Sequence, residues 1–422
     1  MYSEISRCRI CGNSNLESVI DLGQQCLTGI FPRSKAEKVS SGPLELVKCM
    51  EGDSEKFCGL VQLRHSYDKY EMYGDNYGYR SGLNSSMVAH LKDVANKNCK
   101  FANLNTGDLI IDIGSNDGTL LKLYPKNNYL LVGIDPTVEK FRRFYPSNIK
   151  IIPDFFSSQI VKDNFGNKRA KAVSSIAMFY DLESPLDFVQ QVYEILDDDG
   201  IWVLEQSYMP LMLKRNAYDT ICHEHLEYYS LRQVKWMLDK VGFKILDLEF
   251  NDINGGSFKL IVAKRAFPKK ERSDLVAETL NNERKSHLYT LRPFEGFRNR
   301  IGQHRDQLLS TIGEINKRGE KVLGYGASTK GNVILQYCGF TEKDIPYIAE
   351  VNEDKFGSYT PGTYIPIIPE KEAKTINPNY FLVLPWHFKE NFLNREREYL
   401  KAGGKFIFPL PEIEVISYRD ID

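Results

Sequence analysis

The chain has 422 residues, with 55 Lys plus Arg against 56 Asp plus Glu, for a formal net charge of −1. That balance argues against a basic nucleic-acid or membrane surface and leaves a monomer or homodimer open. No apolar run approaches the ~20 residues of a membrane span, and Met1-Tyr2-Ser3-Glu4 lacks a signal-peptide pattern, so a cytoplasmic protein of about three domains is expected.

Residues 1–70 carry five of the eight cysteines. Cys8-Arg9-Ile10-Cys11-Gly12 has the two-residue spacer of a zinc knuckle, in which both thiolates face one ion. Cys49 and Cys58 are the expected second pair, although Met50 to Phe57 lengthen their spacer to eight residues. Four thiolates would close the metal's coordination, so this zinc is structural. Cys26 is a weaker ligand candidate.

Residues 71–265 alternate strand and helix. Ser85 to Lys97 has helical spacing, with Met87, Leu91 and Val94 on one side. Strands are expected at 109–113, 130–134, 172–176 and 201–205, a helix over Asp187 to Leu196, and a hairpin from Lys244–Phe250 and Phe258–Ala263. This is an α/β doubly wound sheet closed by an antiparallel pair. Its first strand runs into Asp112-Ile113-Gly114-Ser115-Asn116-Asp117-Gly118, and the second ends at Asp135. Without Gly-x-Gly-x-x-Gly spacing, the loop suits a ligand with a cationic amino-acid end, Asp112 meeting the ammonium and Asp135 the ribose. S-adenosylmethionine is such a ligand. Asp154 and Phe155, after the third strand, are expected beside its adenine.

Between the last central strand and the hairpin, Tyr218 to Ser230 holds two of the seven histidines, His223 and His225, among carboxylates and tyrosines. The pattern is not the helical His-Glu-x-x-His of zinc proteases, and a third metal ligand is not evident. A general base at the carboxyl edge of the sheet is the sharper reading.

Residues 266–422 open with a charged stretch and a long helix, in which Phe294, Phe297, Ile301, Leu308, Ile312 and Ile315 recur at helical spacing until Arg318-Gly319. A second Rossmann-like unit follows. Gly324, Gly326, Gly331 and Lys330 are expected on a diphosphate, and Glu350, ending the next strand, on a ribose.

Taken together, these pieces resemble the three-domain nucleotide-sugar C-methyltransferases of branched deoxysugar biosynthesis: Cys8-x-x-Cys11-Gly12, Tyr77-Gly78-Tyr79-Arg80-Ser81, the Asp112 loop, His223-Glu224-His225 with Tyr228, Gly255-Gly256-Ser257, and Gly326-Ala327 with Lys330-Gly331-Asn332. The resemblance implies a zinc-binding domain, a class I S-adenosylmethionine-dependent methyltransferase domain and a Rossmann-like domain for the nucleotide sugar. It implies methylation at carbon 3 of a nucleotide-linked 4-keto-6-deoxyhexose, with His225 as base, His223 next in line, and Glu224 and Tyr79 orienting or polarising. Gly114, Asn116 and Gly118 would hold cofactor; Asn254, Gly326, Ala327, Lys330, Asn332 and Glu350 would hold substrate. Cys222 stands where tyrosine is usual and Asn254 where histidine is common, which bears on regiochemistry. Alternatives are an O-methyltransferase on the same scaffold, a nicotinamide-dependent sugar oxidoreductase, and a non-catalytic scaffold.

Overall fold

The computed structural model describes residues 2–51, 57–73 and 79–421. Tyr77 and Gly78, quoted above, and Gly52 to Lys56 of the long cysteine spacer lie outside the described residues. The amino-terminal region has β1 (Tyr2–Glu4), β2 (Leu16–Cys26), β3 (Ser41–Cys49), β4 (Val61–Leu63) and β5 (His65–Tyr67). β1 pairs with β5, and β2, β3 and β4 form an antiparallel sheet.

The next unit contains β6 (Leu109–Ile113), β7 (Leu130–Ile134), β8 (Ile149–Ile152), β9 (Ala170–Ile176), β10 (Leu196–Ser207), β11 (Glu227–Tyr228), β12 (Phe243–Asn251) and β13 (Ser257–Lys264). Seven of these make one sheet in the order β12-β13-β10-β9-β6-β7-β8. The strands from β10 to β8 are parallel, and β13 and β12 close the sheet antiparallel. All five residues of β6 are buried, as a strand covered on both faces requires. The helix Ser85–Ala102 supplies part of that cover through Met87, Leu91 and Val94. It starts where the Asn84 side chain accepts from the Ser86 amide, and runs past Lys97 because Ala102 is also buried. Leu196, expected to end a helix, instead begins β10 directly after the helix Pro185–Ile195. β11 leaves this unit altogether and becomes the edge strand of the amino-terminal sheet, in the order β11-β4-β3-β2.

The helix Arg292–Lys317 buries the apolar stripe read from its spacing. It stops before Gly319, whose φ of +74° suits glycine. The last sheet has β14 (Val322–Tyr325), β15 (Ile348–Glu350), β16 (Ile367–Pro369), β17 (Tyr380–Val383), β18 (Lys405–Phe408) and β19 (Glu414–Ile416), ordered β16-β15-β14-β17-β18-β19. In both large sheets the first strand lies between the second and a later one. Such reversals open a crevice outside the carboxyl ends of the strands.

Candidate active site and metal centre

A cavity of about 690 Å³ opens at the carboxyl ends of β6, β7 and β9. Asp112, Gly114, Asn116, Asp135, Asp154 and Phe155 all line it, together with Tyr79 and Asn254. Gly118 does not. It caps the helix Thr119–Lys122 with φ +69°, and a Cβ there would stand 2.6 Å from the Tyr145 ring, so its place is structural. Tyr145 closes the loop by donating to the Asn116 carbonyl at 2.8 Å.

The Asp135 carboxylate accepts the Asn116 amide at 2.8 Å and the Thr137 amide and hydroxyl, both at 2.6 Å. Burial nevertheless raises its pKa. Asp112 is buried more severely. Burial pushes its carboxyl up to about 7, the Ser174 hydroxyl at 2.6 Å opposes that rise, and repulsion from Asp135 adds to it. A buried carboxylate facing a cavity with a hydroxyl as its hydrogen-bond donor suits a cationic group, so the donor set fits the ammonium end of S-adenosylmethionine. Asn116, at φ +51°, also ties down the segment that brings Tyr79 to the cavity: its side chain donates to the Tyr79 carbonyl at 3.2 Å and accepts the Ser81 amide at 3.0 Å. Asp117 accepts the Gly82 amide at 3.1 Å.

Of the histidine loop, Leu226 lines the cavity, whereas His223, Glu224 and His225 do not. His225 Nδ1 lies 2.8 Å from the Thr220 carbonyl and its ring packs 4.1 Å from that of Tyr180. A carbonyl can only accept, so Nδ1 carries the proton and Nε2 keeps its lone pair. Burial, followed by the charge of Lys330, lowers its pKa to about 3, which keeps it neutral. His223 turns toward the amino-terminal domain. It packs edge-on to Tyr67 at 4.6 Å, with Nε2 3.5 Å from the Gly42 carbonyl. The two imidazoles therefore serve different neighbours and do not converge on an ion. Glu224 accepts from the Thr28 hydroxyl at 3.3 Å, and a side chain on Gly29 would collide with its carboxylate. Burial raises its pKa, as it does for Cys222 beside it.

The carboxy-terminal loop departs from the diphosphate cradle expected of it. The amides of Gly324, Gly326, Ala327 and Gly331 already donate to Tyr347, Ala349, Glu350 and Ser328 respectively. Lys330 turns away from the loop and donates to the Asn254 carbonyl at 2.6 Å. Burial lowers the Lys330 pKa, and the charge of buried Asp219, which accepts from the Trp386 indole at 2.8 Å, opposes that. Asn254 can offer its carbonyl there because it takes a left-handed turn, φ +55°. Asn332 donates to the Thr28 carbonyl at 2.8 Å, joining this unit to the amino-terminal domain. Glu350 accepts the Ala327 amide at 2.8 Å, repeating the Asp135–Asn116 contact of the central sheet.

Sequence reasoning missed Ser174 beneath Asp112 and Asp181 in the cavity wall. The position of Asp181 just past the carboxyl end of β9, next to the crevice strand β6, is the signal that could have found it.

In the amino-terminal domain, ligand atoms of Cys8, Cys11, Cys49 and Cys58 all lie within 4.8 Å of one another. Cys8 Sγ is 3.5 Å from Cys58 Sγ, and Cys11 Sγ is 3.5 Å from Cys49 Sγ. Zinc–sulfur bonds of ~2.3 Å in a tetrahedron place sulfurs about 3.8 Å apart, so the group fits zinc. Among the described residues no other His, Cys, Asp or Glu group has this convergence.

The fold and cavity are those of a methyltransferase, and comparison with known proteins agrees. Three family models match in succession: "Putative zinc binding domain" over residues 8–73, "Methyltransferase domain" over 87–248 and "C-methyltransferase C-terminal domain" over 252–411. The chain thus carries, in succession, the three domains that these models describe, the last two of them methyltransferase domains. It is an S-adenosylmethionine-dependent enzyme with a structural zinc site. A relative, the C-methyltransferase NovU of Streptomyces niveus, is 29% identical over 416 residues, covering 98% of this chain and 97% of the relative. Among solved structures, the PH0226 protein of Pyrococcus horikoshii OT3 is 14% identical with a TM-score of 0.35, covering 47% of this chain and 100% of that one. The 1,6-didemethyltoxoflavin-N1-methyltransferase of Burkholderia thailandensis is 8% identical with a TM-score of 0.32, covering 42% and 78%. No functional point follows from scores this low. Among the described residues, no helix is long and apolar enough to cross a membrane.

Proposed function

We propose that the chain transfers a methyl group to carbon 3 of a nucleotide-linked 4-keto-6-deoxyhexose, with His225 removing the proton from that carbon. The observation carrying this reading is the His225–Thr220 hydrogen bond, which protonates Nδ1 and leaves Nε2 as a fixed lone pair. The chemistry supplied by the bound cofactor is an electrophilic methyl group on a sulfonium.

His225 Nε2 accepts the proton of carbon 3, and the C–H electron pair passes into the ketone as an enolate. That charge needs a nearby cation or donor. Lys330 supplies the cation, since its ammonium acts on His225 and already reaches the cavity wall at Asn254. Tyr79 offers a phenol from the cavity side. Asp112 holds the cofactor's ammonium, Asp135 its ribose, and Asp154 and Phe155 the adenine. When bound, the sulfonium would give its methyl to the enolate carbon, the C–S electron pair staying on sulfur as the ketone re-forms, and alignment of the two reactants is the protein's main contribution. The nucleotide sugar enters between the central and carboxy-terminal units, and Glu350 is its ribose acceptor. The match between Glu350–Ala327 and Asp135–Asn116 supports that role. Gly326 and Ala327 then line the nucleotide, while Lys330 faces the sugar and not the diphosphate.

Mass spectrometry of the product from labelled S-adenosylmethionine and a panel of nucleotide 4-keto sugars tests the substrate. Deuterium wash-in tests the base. With S-adenosylhomocysteine bound, wild type in deuterium oxide is expected to exchange the proton next to the ketone, and His225→Ala to lose that exchange. Loss of a positioned base typically costs ~10²–10⁴-fold in rate. Undiminished exchange in His225→Ala would refute the assignment.

A further inference from the structure

β11 begins two residues after His225, yet its sheet partner is β4 of the amino-terminal domain, with Glu227 opposite Gln62 and Tyr228 opposite Val61. The Leu63 amide donates to the Leu226 carbonyl at 2.8 Å, so the pairing extends to the residue next to His225. On its other side β4 pairs with β3, which ends in Cys49. One three-residue strand therefore bonds both to the metal-binding segment and to the histidine loop.

Arg9, between Cys8 and Cys11, spans this junction. Its guanidinium donates to the Leu63 carbonyl at 2.6 Å and, through Nε, to the Glu183 carboxylate at 3.4 Å; its backbone amide donates to the Gln62 side chain at 3.1 Å, and the same Nε stands 3.8 Å from the Glu227 carboxylate. The Arg9 and Glu227 side chains are 3% and 0% exposed. Burial raises the Glu227 carboxyl well above its ordinary range and the Arg9 charge opposes that rise, while a guanidinium can bond to several partners at once in a fixed geometry. The second knuckle is joined to the same region, because Gln233, which caps the helix after β11, donates to the Cys58 carbonyl at 3.1 Å.

We propose that Arg9 is a positioning residue, through which the zinc knuckle holds β11 and thereby sets the place of His225. The proposal rests on His225 being the base. Its structural content, that Arg9 fixes the imidazole, can be measured apart from the reaction.

The experiment compares Arg9→Ala, Arg9→Lys and Glu227→Gln in the full zinc-loaded chain by metal analysis, S-adenosylmethionine calorimetry and nitrogen NMR of the histidines, with His225→Gln identifying the His225 signal. Arg9→Ala is expected to keep about one zinc per chain and to bind S-adenosylmethionine within about twofold of wild type. Its His225 Nδ1–H signal shifts or broadens, and methyl transfer falls about tenfold or more, as misplacement of a reacting group would produce. Arg9→Lys, which restores a charge beside Glu227, recovers part of the wild-type signal. Glu227→Gln moves the signal in the same direction by a smaller amount, and decides the matter if Arg9→Ala does not fold. An unmoved His225 signal in zinc-loaded Arg9→Ala, or in Glu227→Gln where the first variant fails, overturns the proposal, as does loss of zinc with the signal unmoved. If wild type shows no deuterium wash-in, the base assignment fails instead, and the NMR comparison still decides whether Arg9 sets the imidazole.

Discussion

The Lys330 ammonium donates to the Asn254 carbonyl at 2.6 Å, so two residues expected to meet the substrate meet each other across the central and carboxy-terminal units. Lys330 belongs to the helix Thr329–Cys338, whereas Asn254 lies in the turn between β12 and β13. The contact carries a positive charge toward the cavity at the carboxyl ends of β6, β7 and β9 that Asn254 lines.

Lys330→Met keeps most of the side-chain length and removes that charge. The cation disfavours the imidazolium of His225, so its loss is expected to raise the His225 pKa from about 3 toward its ordinary value. Histidine NMR titration reads the change. Since hydrogen bonds to charged groups contribute ~1.5–3 kcal/mol, the KM for the nucleotide sugar should rise about tenfold or more while S-adenosylmethionine affinity holds. An unchanged His225 titration would show that Lys330 does not act on the base, and equal weakening of both ligands would remove the division into two sites.

The parts of this molecule legible in its sequence are those in which neighbours along the chain decide the structure. β6 announces itself by five consecutive buried residues, and the helix Arg292–Lys317 by its apolar spacing. The crevice loop was also legible, because Asp112 near the end of β6 and Asp135 just after β7 stand at one edge of one sheet and line one cavity. What escaped depends on distant partners. β11 is two residues long and takes its strand character from β4, far back in the chain. Lys330 looks like a phosphate ligand beside its glycines, and only its hydrogen bond to the Asn254 carbonyl shows where its charge goes. Likewise, the His223-Glu224-His225 alternation does not reveal that the two rings turn to different domains.

Metal content should come out near one zinc per chain in protein purified without chelators. Cys8→Ser is expected to lose the ion and to lower the melting temperature, since structural zinc is bound with apparent free energies of ~10–16 kcal/mol that the folded state retains. Because β11 joins the sheet whose β3 ends in Cys49, the disturbance should reach the histidine loop as well as the amino-terminal segment. Elemental analysis and calorimetric melting check both points. Protein free of zinc with an unchanged melting temperature would show that the four cysteines are only buried thiols.

Asp112 gives the protein a pH dependence whose sign follows from its burial. In the free protein its carboxyl is raised from 3.8 to about 7, so between those values the native state holds a proton that the unfolded chain has released. Stability from this group is therefore present at low pH and lost as pH rises through about 7. Cofactor binding runs the opposite way. An ammonium pairs with the carboxylate and not with the acid, so S-adenosylmethionine affinity should be full above about 7 and fall as pH drops, approaching tenfold per unit below that value. Asp135 is also raised by burial, but it already accepts three hydrogen bonds and is assigned to uncharged hydroxyls, so its titration should add little. Calorimetry from pH 8.5 down to 5.5 (about the range the protein should tolerate) measures the slope, and Asp112→Asn supplies the control. The variant should bind weakly at every pH, without the slope, and its free form should not lose stability between pH 5.5 and 8 as wild type does. A slope that persists in Asp112→Asn would assign the titration to another group and place the cofactor's ammonium elsewhere in the cavity.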